Sequence, residues 1–251
     1  MDKSNITTII VIVALMAMCF GAGYVFLNYK SNISKKEQIE LKQKELITDK
    51  EITEKTNQFD IQITYPYIAG NDNFNKLSEG MINKQLSDFK TISLENDKAV
   101  KENDPEDYEA YPRQYSLYIS YDRGNTEDEN IVSIVFNISS FTGGAHGSNY
   151  FIALNYNLKD SKEIMLADIF SGQTGYLQKI SDYCIKDLTD QITKQSGQEY
   201  TDLAWIKEGA GVNEENFSIF RIDKNTITFY FPQYQVASYA QGDFRVTMPL
   251  Q

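Results

Sequence analysis

The chain has 251 residues and a formal net charge of −11 at pH 7, with 24 basic against 35 acidic side chains. An acidic surplus of that size repels a phosphate backbone and excludes nucleic acid as a partner, while it would attract a cationic one. There are only two cysteines. Cys19 lies in an apolar N-terminal stretch, which leaves Cys184 without a partner in the folded region, so stability there must come from packing and not from an internal disulfide.

In chain order, Ile6 to Leu27 carries no charged side chain and is long enough to cross about 30 Å of hydrocarbon as a helix. The expectation is an uncleaved membrane anchor over residues 1–30; the alternative is a cleaved signal peptide, with Ala22-Gly23 as the place for cleavage. Residues 31–58 form the next segment. From Ser34 to Gln58 the composition is rich in Lys and Glu with no Gly or Pro, which predicts a solvated helical stalk. Alternation of Phe59, Ile61, Ile63 and Tyr65 then predicts a strand stopped at Pro66. Asn71 to Asn73 offer caps for an amphipathic helix with Phe74, Leu77, Met81, Leu86 and Phe89 on one face. The acidic, Pro-containing stretch from Glu95 to Pro112 reads as a surface loop with some helix.

Three strands follow, marked by Leu117/Ile119/Tyr121, by Val132 to Ile138, and by the alternation from Tyr150 to Leu158. Short connections between them predict an antiparallel meander. A second amphipathic helix is expected over about Gly175 to Lys194, its stripe of Leu177, Ile180, Cys184 and Leu188 placing the Cys184 thiol in the core. The chain closes with a strand at Asn216 to Ile222, a turn at Asp223-Lys224-Asn225, and strands at Ile227/Phe229/Phe231 and Phe244/Val246/Met248. The fold class is therefore α+β, antiparallel sheets packed with two amphipathic helices, in two lobes, 59–160 and 161–251. About 190 residues outside anchor and stalk suffice to bury a core.

FTGGAHGSNYFIALNYNL (141–158), the YP-turn-helix order after Phe59, EIMLADIF (163–170) and the C-terminal run from Ile227 to Leu250 together resemble an envelope domain pair. That pair forms the extracytoplasmic part of lysozyme-sensing anti-sigma factors of the V type, and it precedes the catalytic domain of some peptidoglycan deacetylases. The resemblance implies an N-terminus in the cytoplasm and a main domain outside. It also implies that the segment matching Phe231 to Gly242 lies where a lysozyme-type ligand is met. Met1 to Asn5 are too few to hold a sigma factor, and no catalytic domain follows Leu250, so the expectation is the sensor or wall-associated module alone on an anchor.

Residues that could carry chemistry are few. His146, the single histidine, sits between Gly144-Ala145 and Gly147, where the backbone can turn sharply and leave the ring exposed. A nucleophilic triad would need a GxSxG-like elbow or an oriented cysteine, and a zinc site would need three or four ligands. Neither pattern occurs, so no catalytic residue, metal or cofactor is expected. Tyrosines on a loop offer large contact area at low entropic cost. Tyr234 and Tyr239, with Pro232 and the turn of Thr142, Gly143, Gly144 and His146, are the candidate ligand surface, and Phe229 and Phe231 are assigned to the core. The expected function is non-enzymatic recognition of a cationic lysozyme-like protein or a cell-wall glycan; a lysozyme inhibitor, an accessory to a wall-modifying enzyme and a structural envelope protein are the alternatives. If the apolar stretch is an uncleaved anchor, carbonate washing leaves the protein in the membrane pellet and protease added to protoplasts removes the domain. A shortened soluble form would instead mean that the stretch is a cleaved signal.

Overall fold

The computed structural model describes residues 47–111, 113–199 and 203–250. The apolar stretch from Ile6 to Leu27 and the first part of the stalk lie outside the described residues. Among those described, no helix is long and apolar enough to cross a membrane.

The fold is α+β with mainly antiparallel sheets. A six-stranded sheet runs in sequence order: β1 (Ile47–Lys55), β2 (Phe59–Ile68), β3 (Tyr115–Arg123), β4 (Ile131–Phe141), β5 (Ser148–Asn157) and the two-residue β6 (Lys162–Glu163). A second sheet of three strands comprises β7 (Phe220–Ile222), β8 (Thr226–Phe231) and β9 (Phe244–Pro249). The β3–β4–β5 meander is antiparallel, as the short connections require. β2 and β3 are parallel. That departs from an all-antiparallel sheet, and the reason is the intervening helix, which carries the chain back to the end of the sheet where β2 began.

This helix runs over Asp72–Asn103, well past the predicted boundary at Glu95. Its start is capped by Asn71, whose Oδ1 accepts the Phe74 N–H at 3.0 Å. Asn75 is buried and exchanges two 2.8 Å hydrogen bonds with the Ile68 backbone, fixing the strand-to-helix turn. Phe74, Ile82 and Phe89 are buried against Ile61, Ile63, Leu117, Ile134 and Leu154 of the sheet. Residues 95–103 continue as a solvated helix because they contain no breaker until Pro105, which opens a short helix of its own, Pro105–Ala110. Asp97 holds that corner, accepting from Tyr108 at 3.1 Å and Tyr115 at 3.0 Å.

The predicted helical stalk is corrected over its last part: Ile47 to Lys55 form β1, antiparallel to β2. Its Lys- and Glu-rich composition suits an edge strand beside a helix. Lys50 pairs with Glu79 at 2.7 Å and Glu54 with Lys90 at 2.6 Å, while Ile47 and Ile52 pack on the first core. Each pair is partly exposed and contributes little by itself.

The second core gathers Ile180, Cys184, Leu188 and Ile192 of the helix Tyr176–Ser196 against Phe217, Phe229, Phe231 and Val246. Burial raises the Cys184 thiol pKa, so it is an inert packing group. The predicted strand at Asn216 to Ile222 is shorter than expected, because Glu214–Phe217 form a 3₁₀ turn that seats Phe217 in the core.

The two cores meet along β7. Its backbone is spliced to the buried cross-strand pair Ser133 and Asn155: Asn155 Nδ2 donates to the Phe220 carbonyl at 3.0 Å, and the Ile222 N–H donates to Ser133 Oγ at 2.7 Å. Ser133 in turn donates to Asn155 Oδ1 at 2.5 Å. A small apolar cluster of Val135, Phe151 and Tyr230 lies beside this network. The approach is so close that a Cβ on Gly124 would stand 2.0 Å from the Ile222 carbonyl oxygen. Removing the hydroxyl in Ser133→Ala leaves a buried N–H unsatisfied, at a cost of about 1–3 kcal/mol. Hydrogen exchange should show the Ile222 amide losing protection while amides of the Tyr176–Ser196 helix keep theirs; unchanged protection of Ile222 would contradict the assigned junction.

Candidate functional site

The β4–β5 turn and the loop after β8 come from different cores, and the junction sets them face to face. Gly143 and Gly144 have φ of +106° and +94°, the left-handed region in which glycine is unstrained. Asn96 Nδ2 from the long helix donates to the Thr142 carbonyl at 2.7 Å and steadies the turn. His146 therefore projects into solvent, its Nδ1–H donating to the Gly147 carbonyl at 2.9 Å.

Opposite, the loop from Pro232 to Tyr239 is pinned from within. Val236 and Ala237 are buried, and Gln235 Nε2 donates to the carbonyls of Gly209 at 2.8 Å and Asn216 at 3.0 Å. With those residues turned inward, Tyr234 and Tyr239 are left on the outer side. Tyr234 has φ of +71° and is 56% exposed.

The two segments converge on one oxygen. The Gly147 carbonyl that accepts from His146 also accepts the Tyr239 hydroxyl at 3.2 Å. The His146 and Tyr239 rings stack with centroids 4.1 Å apart and planes inclined by 29°, and Tyr234 lies 5.8 Å from Tyr239. Together they border a cleft of about 290 Å³ whose other polar groups include Ser148, Asn149 and Gln233. No Asp, Glu, Lys or Arg lines it. Of the predicted site residues, His146, Pro232, Tyr234 and Tyr239 line the cleft. Thr142, Gly143 and Gly144 do not; they form the turn that presents His146.

Tyr150 closes the floor, its hydroxyl donating to Gln85 Oε1 at 2.7 Å. Burial, with a smaller contribution from Asp88, holds that phenol above its ordinary pKa, so it stays protonated at neutral pH. Sequence reasoning missed Asn149, Gln233 and Trp205. Trp205 Nε1–H donates to the Tyr234 carbonyl at 2.9 Å and buttresses the loop from behind. The one available signal was that this is the chain's single tryptophan. Among the described residues, no group of three or more His, Cys, Asp or Glu side chains is placed to hold a metal ion.

Comparison with known proteins gives one match over most of the first core and another over most of the second. The family model described as "Deacetylase PdaC" matches residues 52–149, and the model described as "Protein of unknown function (DUF3298)" matches residues 167–251. The cleft thus takes His146 from the first matched region and the tyrosines from the second. A peptidoglycan-N-acetylmuramic acid deacetylase, PdaC, of Bacillus subtilis is 36% identical over 112 residues, 45% of this chain and 23% of that protein. The chain therefore spans less than a quarter of that relative's length. A crystal structure of a DUF3298 family member from Bacteroides fragilis aligns with a TM-score of 0.53 at 19% identity, covering 81% of this chain and 89% of that one, and so shares the fold. These matches support the unknown-function domain and the deacetylase region of the resemblance; the anti-sigma part rests on the sequence motifs alone.

The turn acts through backbone shape more than through imidazole chemistry. A β-branched residue resists positive φ, so Gly144→Val should lower stability by about 1 kcal/mol or more, while His146→Ala, which removes an exposed ring, should cost less. Thermal denaturation of the two variants checks the order, and a larger drop for His146→Ala would reverse it.

Proposed function

We propose that this chain is a non-catalytic recognition module of the bacterial cell envelope, held outside the membrane by the Ile6–Leu27 segment, that takes a peptidoglycan-type glycan at the Tyr239 cleft. The observation that carries the reading is the convergence of the His146–Tyr239 stack and Tyr234 on a cleft that no Asp, Glu, Lys or Arg lines. Sugars offer apolar C–H faces to aromatic rings and a rim of hydroxyl and amide groups to side-chain amides. Asn149 and Gln233 supply the second kind of contact, and the tyrosines the first. A volume of about 290 Å³ suits a small group and not a broad protein surface. The likeness of residues 52–149 to a region of a peptidoglycan deacetylase supports the same class of target.

A second reading, a cationic lysozyme-like protein as partner, is favoured by the net charge of −11 and by Tyr234 standing exposed at the rim. The two readings separate by salt. Attraction between opposite charges is screened over roughly 8 Å at physiological ionic strength, so association with a cationic protein slows as salt rises. Binding of an uncharged N-acetylglucosamine oligomer to the cleft, which no Asp, Glu, Lys or Arg lines, should change less.

Trp205 touches the Tyr234 backbone and is the chain's one tryptophan, so its fluorescence reports on the cleft. Titrating the full chain with muramidase-digested peptidoglycan should give a saturable change. Tyr239→Ala should weaken binding about tenfold or more, equivalent to about 1.4 kcal/mol, whereas Tyr239→Phe, which keeps the ring, should lose less. No saturable response at millimolar fragment, together with saturable binding of hen-type lysozyme that weakens in Tyr239→Ala, would favour the second reading.

A further inference from the structure

We propose that the open face of the six-stranded sheet is a second subsite for the same glycan, so that the module grips an extended strand and not a single sugar; this rests on the glycan reading of the Tyr239 cleft. The register of the sheet builds the subsite. Gln62 pairs with Tyr118, Tyr118 with Ser139, and Ser139 with Asn149, which sets four side chains in one transverse row over β2 to β5. In the neighbouring row Ser120 pairs with Asn137, and Asn137 with Phe151. Their sequence neighbours Ile61, Ile63, Ile119 and Ile138 are buried on the other face, beneath the long helix, so these rows look away from the core.

The rows floor a groove of about 490 Å³, walled on one side by Asp243 and Arg245. Arg245 stands over the Phe151 ring at 5.6 Å and reaches Asn137 Oδ1 at 3.5 Å, and it is shared with Asp122 and Asp243 at 3.5 and 3.8 Å. Tyr118 is 39% exposed and is held in position by a 3.0 Å hydrogen bond to Asp60 Oδ2. Three inter-strand gaps make the row roughly 14 Å long. Asn149 and Tyr150 line both this groove and the Tyr239 cleft, so one ligand can pass from one to the other.

The chemistry of the rows selects the occupant. On a chain with a net charge of −11, these two rows carry amides, hydroxyls and the exposed Tyr118 ring, with Phe151 buried at their end, and no carboxylate or ammonium. A cationic protein would be drawn to carboxylates, which the rows lack. A peptide joining the sheet by backbone pairing would go to the edges at β1 or β6, not to a face. The sugar backbone of a glycan strand uses what the rows offer: hydrogen bonds from its hydroxyl and acetamido groups to amides and hydroxyls, and the Tyr118 ring face for its C–H groups.

The test is calorimetric titration of the full chain with β-1,4-linked N-acetylglucosamine oligomers, the dimer against the hexamer. The hexamer should bind at least tenfold more tightly than the dimer. In Gln62→Ala/Ser139→Leu, whose parent side chains are both exposed, the hexamer should fall to the affinity of the dimer while dimer binding stays unchanged. Gln62→Ala alone, which adds no bulk, should move hexamer binding the same way by a smaller factor. If the dimer binds and the hexamer binds no tighter, or both variants leave the hexamer untouched, the second subsite is overturned and the cleft reading survives. If neither oligomer binds the unaltered chain, the glycan reading of the cleft falls and takes this subsite with it.

Discussion

The arrangement of both lobes depends on how the outer edge of β7 is satisfied. An unpaired strand edge within a protein carries unmet backbone donors and acceptors, and burying one without partners costs several kcal/mol. Here the partners are two side chains. Ser133 and Asn155, paired across β4 and β5 and buried, stand in for a neighbouring strand by accepting the Ile222 N–H and donating to the Phe220 carbonyl. Polar groups arranged in this way are directional, so they fix the angle and register at which the second sheet meets the first, which the apolar Val135–Phe151–Tyr230 cluster alone would leave loose. The stack of His146 on Tyr239 and the shared Gly147 oxygen follow from that registration.

What the sequence made legible was whatever repeats. Phe59 to Tyr65, Val132 to Ile138 and Tyr150 to Tyr156 alternate because one face of a half-covered sheet is buried, and Ile180, Cys184 and Leu188 recur at helical spacing for the same reason. β1 was hidden. It is an edge strand rich in Lys and Glu, of which Lys50 and Glu54 pair with a helix, and that composition also describes a solvated helix. The stretch from Glu95 to Asn103 reads as a loop with only some helix on similar grounds, since it buries too little to show an apolar stripe. The junction left no trace at all. One serine and one asparagine inside apolar strands have no period, and their partners lie 89 and 65 residues away.

The candidate cleft falls between these cases. His146 among glycines and the tyrosines after Pro232 stand out by composition, because glycine at positive φ and tyrosine on a loop have recognisable local causes. Their meeting is a tertiary fact. Asn149, exposed near a strand end, and Gln233, half-buried in a turn, were overlooked because such an amide looks like ordinary surface until a facing ring gives it a neighbour.

The parallel pairing of β2 with β3, and the junction whose partners Ser133 and Ile222 lie 89 residues apart, also order events in time. The β3–β4–β5 meander closes through local turns, whereas the contacts of Ile222 with Ser133 and of Tyr239 with Gly147 must wait until nearly the whole chain is available. Until then Val135, Phe151 and the Ser133–Asn155 pair face water. The cleft thus forms only once the second sheet has docked on the first, and a chain that stops short of β8 leaves Val135 and Phe151 without their cover of Tyr230.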